Sequence, residues 1–317
     1  MGEKTRLKHR VEYWLIRIIG GFLNVLPYRC ALAVAWVLGR LIYMFAGSRK
    51  HEAFRRVRLV FGDSLSDREV KRICWISFRN TFFNAVEMMR IRKLRAEQLL
   101  SMVSNADAVI DLIKKTMAEA DGRGIVVALP HMGNWDLAGS VCIASGIPVF
   151  SVAAKQRNKR VNELMNYWRS GHGMDVIERG GGTLRQILTR LRDGQVFAIL
   201  PDTRSFNPDL LIPFLGGEAN LARGMASFAY TAKVPVLPIV VRRTSWTGFS
   251  VEMHDPVWPD SSIEKSKKDE ELRRITEIVI KFIDRAIHET PEQWFWYNKR
   301  WVLDPVESAI ARSKKKQ

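Results

Sequence analysis

The sequence predicts an α/β fold with a mainly parallel central sheet flanked by helices, preceded by an N-terminal membrane-associating helical segment. Three observations predict it. From residue 124 onward, short continuous apolar runs alternate with helix-like stretches, the pattern of strands buried on both faces and joined by crossover helices. The first 48 residues are apolar between basic flanks. The whole chain of 317 residues is 47% hydrophobic with ten Trp, ample apolar surface for a core, which excludes a disordered chain.

Lys4, Arg6, Lys8 and Arg10 open the chain, and apolar sequence follows from Val11 to Gly47. Its longest uncharged stretches, Ile18–Tyr28 and Cys30–Gly39, fall short of the roughly 18 residues of a clean spanning helix. A span from Cys30 to Ser48 would carry Arg40 near its middle, at about 2.5–3.5 kcal/mol. No small-residue cleavage site is evident, so a removable signal peptide is not expected. Two readings stay open: a membrane anchor or half-embedded hairpin, favoured by the basic flanks and aromatics, and a pair of buried helices covering the domain.

Residues 49–64 are basic and lead into the fold. Ser66-x-x-Glu69 is a capping box opening a helix to about Arg90, and Asn105–Ala120 is an amphipathic helix with Val109, Leu112, Ile113 and Met117 on one face. Gly124–Pro130 is the first buried strand, followed by a helix to about Ser145. Ile147–Ala153 is the second, followed by a helix to about His172. Gly180-Gly181-Gly182 precedes a second capping-box pattern, Thr183-x-x-Gln186. Val196–Pro201 and Val236–Arg242 are further strands with a helix near Ala222–Ala232 between them; Thr247–His254 is an outer strand and Glu270–Glu289 the last helix. The organisation expected is a membrane segment over 1–48, one domain over 49–310 and a loose basic tail over 311–317.

Fifty Lys and Arg against 33 Asp and Glu leave a formal charge of +17, which implies a polyanionic partner. Nucleic acid is disfavoured, because no nucleic-acid motif is present and such a partner leaves the apolar N-terminus unexplained. Cys30, Cys74 and Cys142 are too few and too far apart for a disulfide framework. His9, His51, His172, His254 and His288 lack metal-ligand spacing, so no metal site is expected.

In open α/β sheets ligands sit beyond the carboxyl ends of the strands. There the first strand runs into Pro130-His131-Met132-Gly133-Asn134-Trp135-Asp136, the second into Lys155-Gln156-Arg157-Asn158 and the third into Pro201-Asp202-Thr203-Arg204. With His131 in the turn and Asp136 in the first turn of the following helix, the carboxylate could reach one imidazole nitrogen and leave the other free to take a proton. This is triad logic with the nucleophile supplied by a substrate hydroxyl. A lone His beside a helix-capping Asp is the plainer reading of such a spacing; the place after a buried strand favours chemistry.

At these residues the sequence resembles the glycerolipid and lysophospholipid acyltransferase superfamily, through His131-x4-Asp136. The wording His-Met-Gly-Asn-Trp-Asp is similar to the bacterial late acyltransferases of lipid A biosynthesis and their relatives, the phosphatidylinositol mannoside acyltransferases. Further blocks follow in order: Arg157-Asn158 with Arg169-x3-Gly173, Ile177-Glu178-Arg179-Gly180-Gly181, Pro201-Asp202 with Ile212-Pro213-Phe214-Leu215-Gly216, and Pro291-Glu292-Gln293-Trp294-Phe295-Trp296 with Lys299-Arg300-Trp301. Two positions depart. Arg204 stands where many members carry a second acid, and Pro213 where the mannoside branch tends to carry a glutamate, which places the chain nearer the lipid A branch.

The resemblance implies acyl transfer from an acyl-carrier-protein or coenzyme A thioester to a hydroxyl of an anionic glycolipid, most simply a lipid A precursor, at the cytoplasmic face of the inner membrane and without a cofactor. It implies His131 as general base and Asp136 as its orienting acid, with Asn134 or the backbone N–H groups at the start of the following helix as the oxyanion donors. Arg157, Arg169, Asp202 and Arg204 are expected to bind substrate, Arg forks suiting phosphate oxygens. Phosphatidylinositol mannoside, a lysophospholipid or another polar lipid is the alternative acceptor. A non-catalytic anionic-lipid-binding protein is the alternative of another class.

Overall fold

A computed structural model describes residues 3–153, 156–260 and 262–305. The basic tail over 311–317, and Lys155 in the second strand-end cluster, lie outside the described residues. The helices are α1 Glu3–Val25, α2 Tyr28–Phe45, α3 Gly47–Phe61, α4 Asp67–Arg90, α5 Ala96–Ser101, α6 Ala106–Glu119, α7 Trp135–Ala144, α8 Lys159–Arg169, α9 Thr183–Arg192, α10 Gly224–Ala232 and α11 Lys268–Glu289. The strands are β1 Val126–Ala128, β2 Val149–Ala153, β3 Asp175–Glu178, β4 Val196–Ile199, β5 Leu210–Phe214, β6 Gly217–Leu221, β7 Val236–Arg243 and β8 Phe249–Met253.

Six strands form one sheet in the order β3-β2-β4-β1-β7-β8. β1, β2, β3, β4 and β7 are parallel, and β8 closes the edge antiparallel to β7. The sheet divides its side chains by strand alternation. Val126, Ala128, Phe197, Val236 and Val240 enter a core shared with α10 and α11. Ile125, Val127, Leu129, Leu237 and Ile239 enter a second core with α6 and α7. The expected parallel sheet is therefore present, because each central strand is apolar on both faces.

Three strands were not anticipated. β3 buries only Ile177, an edge strand too polar to announce itself. β5 and β6 form a separate hairpin in which Pro213 takes an outward position, and the turn uses the left-handed conformation at Leu215 and Gly216. The capping box at Ser66 forms as expected: Glu69 N–H donates to Ser66 Oγ, and Ser66 N–H donates to the Glu69 carboxylate. The one expected at Thr183 does not. Thr183 is the first helical residue behind Gly182 (φ +86°), and its hydroxyl turns back to bond the N–H and the C=O of Gly180.

The N-terminal pair is neither a free hairpin nor wholly covered. α2 buries Ala31, Leu32, Ala35, Gly39 and Tyr43, and this face packs on α4. Its other face leaves Val37, Leu41, Ile42 and Phe45 exposed, and α1 exposes Leu15, Ile18, Phe22 and Val25. α2, at 18 residues and running through Arg29 and Arg40, is long and apolar enough to cross a membrane by length and composition.

Candidate active site

The sheet register builds the site. β1 pairs with β4 so that Ala128 lies opposite Ile199. Three residues on, beyond the carboxyl ends of both strands, come His131 and Asp202. Asp202 Oδ1 lies 2.8 Å from His131 Nδ1, and Asp202 Oδ2 accepts from the His131 backbone N–H at 2.7 Å and from Trp294 Nε1 at 2.8 Å. Asp202 is 2% exposed. Burial alone would push its carboxyl up. The charge of His131 and the hydrogen bonds from His131 and Trp294 outweigh that and hold it below the usual carboxylate range. The imidazole stays partly open, with 24% of its side chain exposed, and its edge meets Trp135 at 5.1 Å between centroids.

Three of the sequence expectations are corrected here. The acid on His131 is Asp202, and no hydrogen bond joins His131 to Asp136. Asp136 Oδ1 instead accepts from Arg169 Nε at 3.1 Å, because the first turn of α7 carries it towards the end of α8. Asp202 is not presented to a substrate, since its side chain is wholly buried and its two oxygens hold His131 and Trp294. Asn134 is likewise turned inward. Its Oδ1 caps α7 by accepting from Leu137 N–H at 3.0 Å, its Nδ2 donates to Glu87 at 2.6 Å, and at 1% exposure the side chain is not presented to a substrate.

The arginines divide. Arg169 commits Nε to Asp136. Arg157 is exposed at the entry to α8. Arg204 donates Nη1 to Pro305 O at 2.8 Å, while its Nε is buried without a partner. Burial, then the like charges of Arg179 and Arg204, holds the Arg300 guanidinium below its usual range. These three cations follow β3, β4 and the C-terminal tryptophan segment, on the carboxyl edge of the sheet. Among the described residues none of them has an ion pair with a carboxylate.

A buried polar network holds the His131 loop from beneath. Arg243 donates to both oxygens of Glu87 at 2.7 and 2.6 Å and to Asn84 Oδ1 at 3.0 Å. Asn84 Nδ2 donates to Gly133 O at 2.7 Å, and Tyr28 OH reaches Glu87 at 2.7 Å. Glu87 and Arg243 side chains are each 2% exposed. Gly133 has φ +59°, and a Cβ there would lie 2.1 Å from Val241 O, so no other residue fits the turn. The C-terminal segment completes the clamp: Phe295 N–H donates to His131 O at 2.9 Å and Gly133 N–H to Gln293 O at 3.2 Å. Sequence reasoning missed Glu87, Arg243 and the bond from Trp294. Only the Pro291–Trp296 block carried a signal for any of them. Trp294, Trp296 and Trp301 are core residues, each at most 2% exposed. Among the described residues no cluster of His, Cys, Asp and Glu could hold a metal.

A histidine backed by a buried carboxylate at the carboxyl edge of a parallel sheet, with its ring partly open, is an arrangement suited to general-base chemistry. The chain belongs to the family described as bacterial lipid A biosynthesis acyltransferase, which it matches over residues 1–302. It is 24% identical over 207 residues to a phosphatidylinositol mannoside acyltransferase of Mycolicibacterium smegmatis, covering 64% of this chain and 65% of that protein. It is 26% identical over 182 residues to a lipid A biosynthesis acyltransferase of Haemophilus influenzae, covering 56% of this chain and 54% of that protein. The matches thus span 65% and 54% of those relatives' lengths. Among solved structures, the 1-acyl-sn-glycerophosphate acyltransferase PlsC of Thermotoga maritima is similar at 19% identity and TM-score 0.37, over 84% of this chain and 99% of that one.

Proposed function

We propose that this protein is an O-acyltransferase that moves a fatty acyl chain from an acyl-carrier-protein or coenzyme A thioester to a hydroxyl of an anionic membrane glycolipid, most simply a lipid A precursor. The observation that carries the reading is the His131–Asp202 contact of 2.8 Å with the imidazole still partly open. Asp202 keeps the proton on Nδ1, so Nε2 accepts the proton of the acceptor hydroxyl as its oxygen attacks the thioester carbonyl. The imidazolium formed is stabilised by the buried carboxylate. The proton then goes to the departing thiolate as the tetrahedral intermediate collapses, with no cofactor needed. Of the N–H groups in the first turn of α7, that of Leu137 is taken by Asn134 Oδ1, which leaves those of Trp135 and Asp136 as the oxyanion donors. Arg179, Arg204 and Arg300 receive phosphate oxygens of the substrates, and Arg169 is placed by Asp136.

The exposed apolar faces of α1 and α2, with the basic flank, support docking of the first 48 residues on or in the inner membrane, with the catalytic domain on the cytoplasmic face. A second acceptor, phosphatidylinositol mannoside, is favoured by the mycolicibacterial match, which covers more of this chain than the Haemophilus one.

The test is acyl transfer by the purified full chain in detergent, offered a lipid A precursor and phosphatidylinositol mannoside separately, with products identified by mass spectrometry. The reading expects transfer to one of them, near-complete loss in His131→Ala and retained vesicle binding by that variant. Transfer unchanged in His131→Ala, or vesicle binding with no transfer to any offered lipid, overturns it in favour of a non-catalytic lipid binder.

A further inference from the structure

We propose that the groove between α1 and α8 holds one anionic glycerophospholipid of the surrounding bilayer, at a site separate from the acyl-transfer centre. The groove has a volume of about 780 Å³, within the range of pockets that take small ligands. Tyr13, Arg17 and Asn24 of α1 face Arg160, Tyr167 and Trp168 of α8 across it. Arg17 and Arg160 each place their guanidinium carbon 5.9 Å from the centre of the Tyr13 ring. Neither has an ion pair with a carboxylate among the described residues, and the acid on the lining, Glu163, is engaged by Lys159 at 3.9 Å. Two unneutralised guanidinium groups over an aromatic and glycine-lined floor suit a phosphodiester with acyl chains below it. Asn24 on the lining is tied to the fold, its Nδ2 donating to Met89 O at 3.2 Å. The occupant that fits the two arginines is a lipid of net negative charge whose headgroup carries no cation of its own, a phosphatidylglycerol-type molecule.

Two features set this apart from the reaction. On α8, Arg160, Leu164 and Tyr167 recur at helical spacing on one face, whereas Arg169, which holds Asp136, lies nine residues on from Arg160, roughly 180° around the helix. The body of α8 therefore separates the groove from the catalytic side. On α1, Trp14 belongs both to the groove and to the exposed apolar stripe of Leu15, Ile18 and Phe22, so the groove opens where the helix meets lipid. This inference rests on the membrane docking of α1 proposed above.

Native mass spectrometry of the full chain in detergent, equilibrated with equal phosphatidylglycerol and phosphatidylcholine and washed in about 0.5 M salt to screen loose surface attraction, reads the bound lipid. One phosphatidylglycerol per chain is expected. Arg17→Gln/Arg160→Gln should reduce its retention at least tenfold while leaving acyl transfer in detergent unchanged. A second variant tests the space without touching charge. A Cβ at Gly21 meets nothing within 4 Å, so Gly21→Phe fills the groove and should exclude the lipid equally. Retention of phosphatidylglycerol unchanged in both variants, or equal retention of phosphatidylcholine by the unaltered chain, overturns the inference. Flotation on neutral phosphatidylcholine vesicles tests the docking reading by itself, since it depends on the apolar faces and not on these arginines.

Discussion

Replacing Asp202 by Asn alters one atom and inverts the hydrogen-bond logic of the site. Oδ2 accepts two N–H groups, from the His131 backbone and the Trp294 indole, whereas Oδ1 accepts one from His131 Nδ1. An amide can keep its oxygen only on one side. Turned so that its NH₂ met the two fixed N–H donors, it would set donor against donor twice, so the oxygen stays with them and the NH₂ faces Nδ1. The imidazole must then carry its proton on Nε2, the atom needed as base. Losing general-base catalysis costs about 10²–10⁴ in rate, or about 2.7–5.5 kcal/mol of transition-state stabilisation. The fold should hold, because both fixed donors keep an acceptor. Asp202→Ala strands them and should also destabilise, by about 1–3 kcal/mol for each unsatisfied donor. The assay is the initial rate of acyl transfer at saturating substrate beside a thermal melt, with the imidazole tautomer read by nitrogen NMR. Asp202→Asn at the unaltered rate, or with its proton still on Nδ1, would refute the reasoning.

Arg243→Met leaves the Glu87 carboxylate buried without its cation, and breaking such a pair costs about 3–5 kcal/mol. A thermal melt in detergent should fall accordingly, and an unchanged melting temperature would show that the pair does not hold the loop. Acid stability follows from Asp202. Its folded carboxyl holds a proton less readily than the unfolded one, so the unfolded chain takes up the proton first. The stabilisation is whole above the ordinary Asp value of about 3.9 and is lost as pH falls through the lower folded value. Unfolding followed below about pH 4 should therefore be less steeply pH-dependent in Asp202→Asn than in the unaltered chain, and equal slopes would contradict the assignment.

Local sequence carried much of the architecture. Continuous apolar runs at Gly124–Pro130 and Val196–Pro201 mark strands whose two faces both need covering, and that need alone calls for helices on each side. Ser66 and Glu69 sit three apart and cap α4 without help from elsewhere. His131 was legible because it directly follows a buried strand. β3 and the β5–β6 hairpin were not, since one buries a single residue and the other hides its alternation behind Pro213.

The acid that serves His131 was decided by tertiary structure. Asp136 is five residues away in the chain and Asp202 seventy-one, yet Asp202 makes the bond. Which strand lies beside β1 is set by how the crossovers stack their helices, and that stacking places β4 there in a register that brings residues 131 and 202 to the same level. The Glu87–Arg243 pair is of the same kind, 156 residues apart and invisible to any local pattern. Side-chain periodicity reports which face of an element is buried; it holds no information about the neighbour met there, because that neighbour is selected by the collapse of the whole chain.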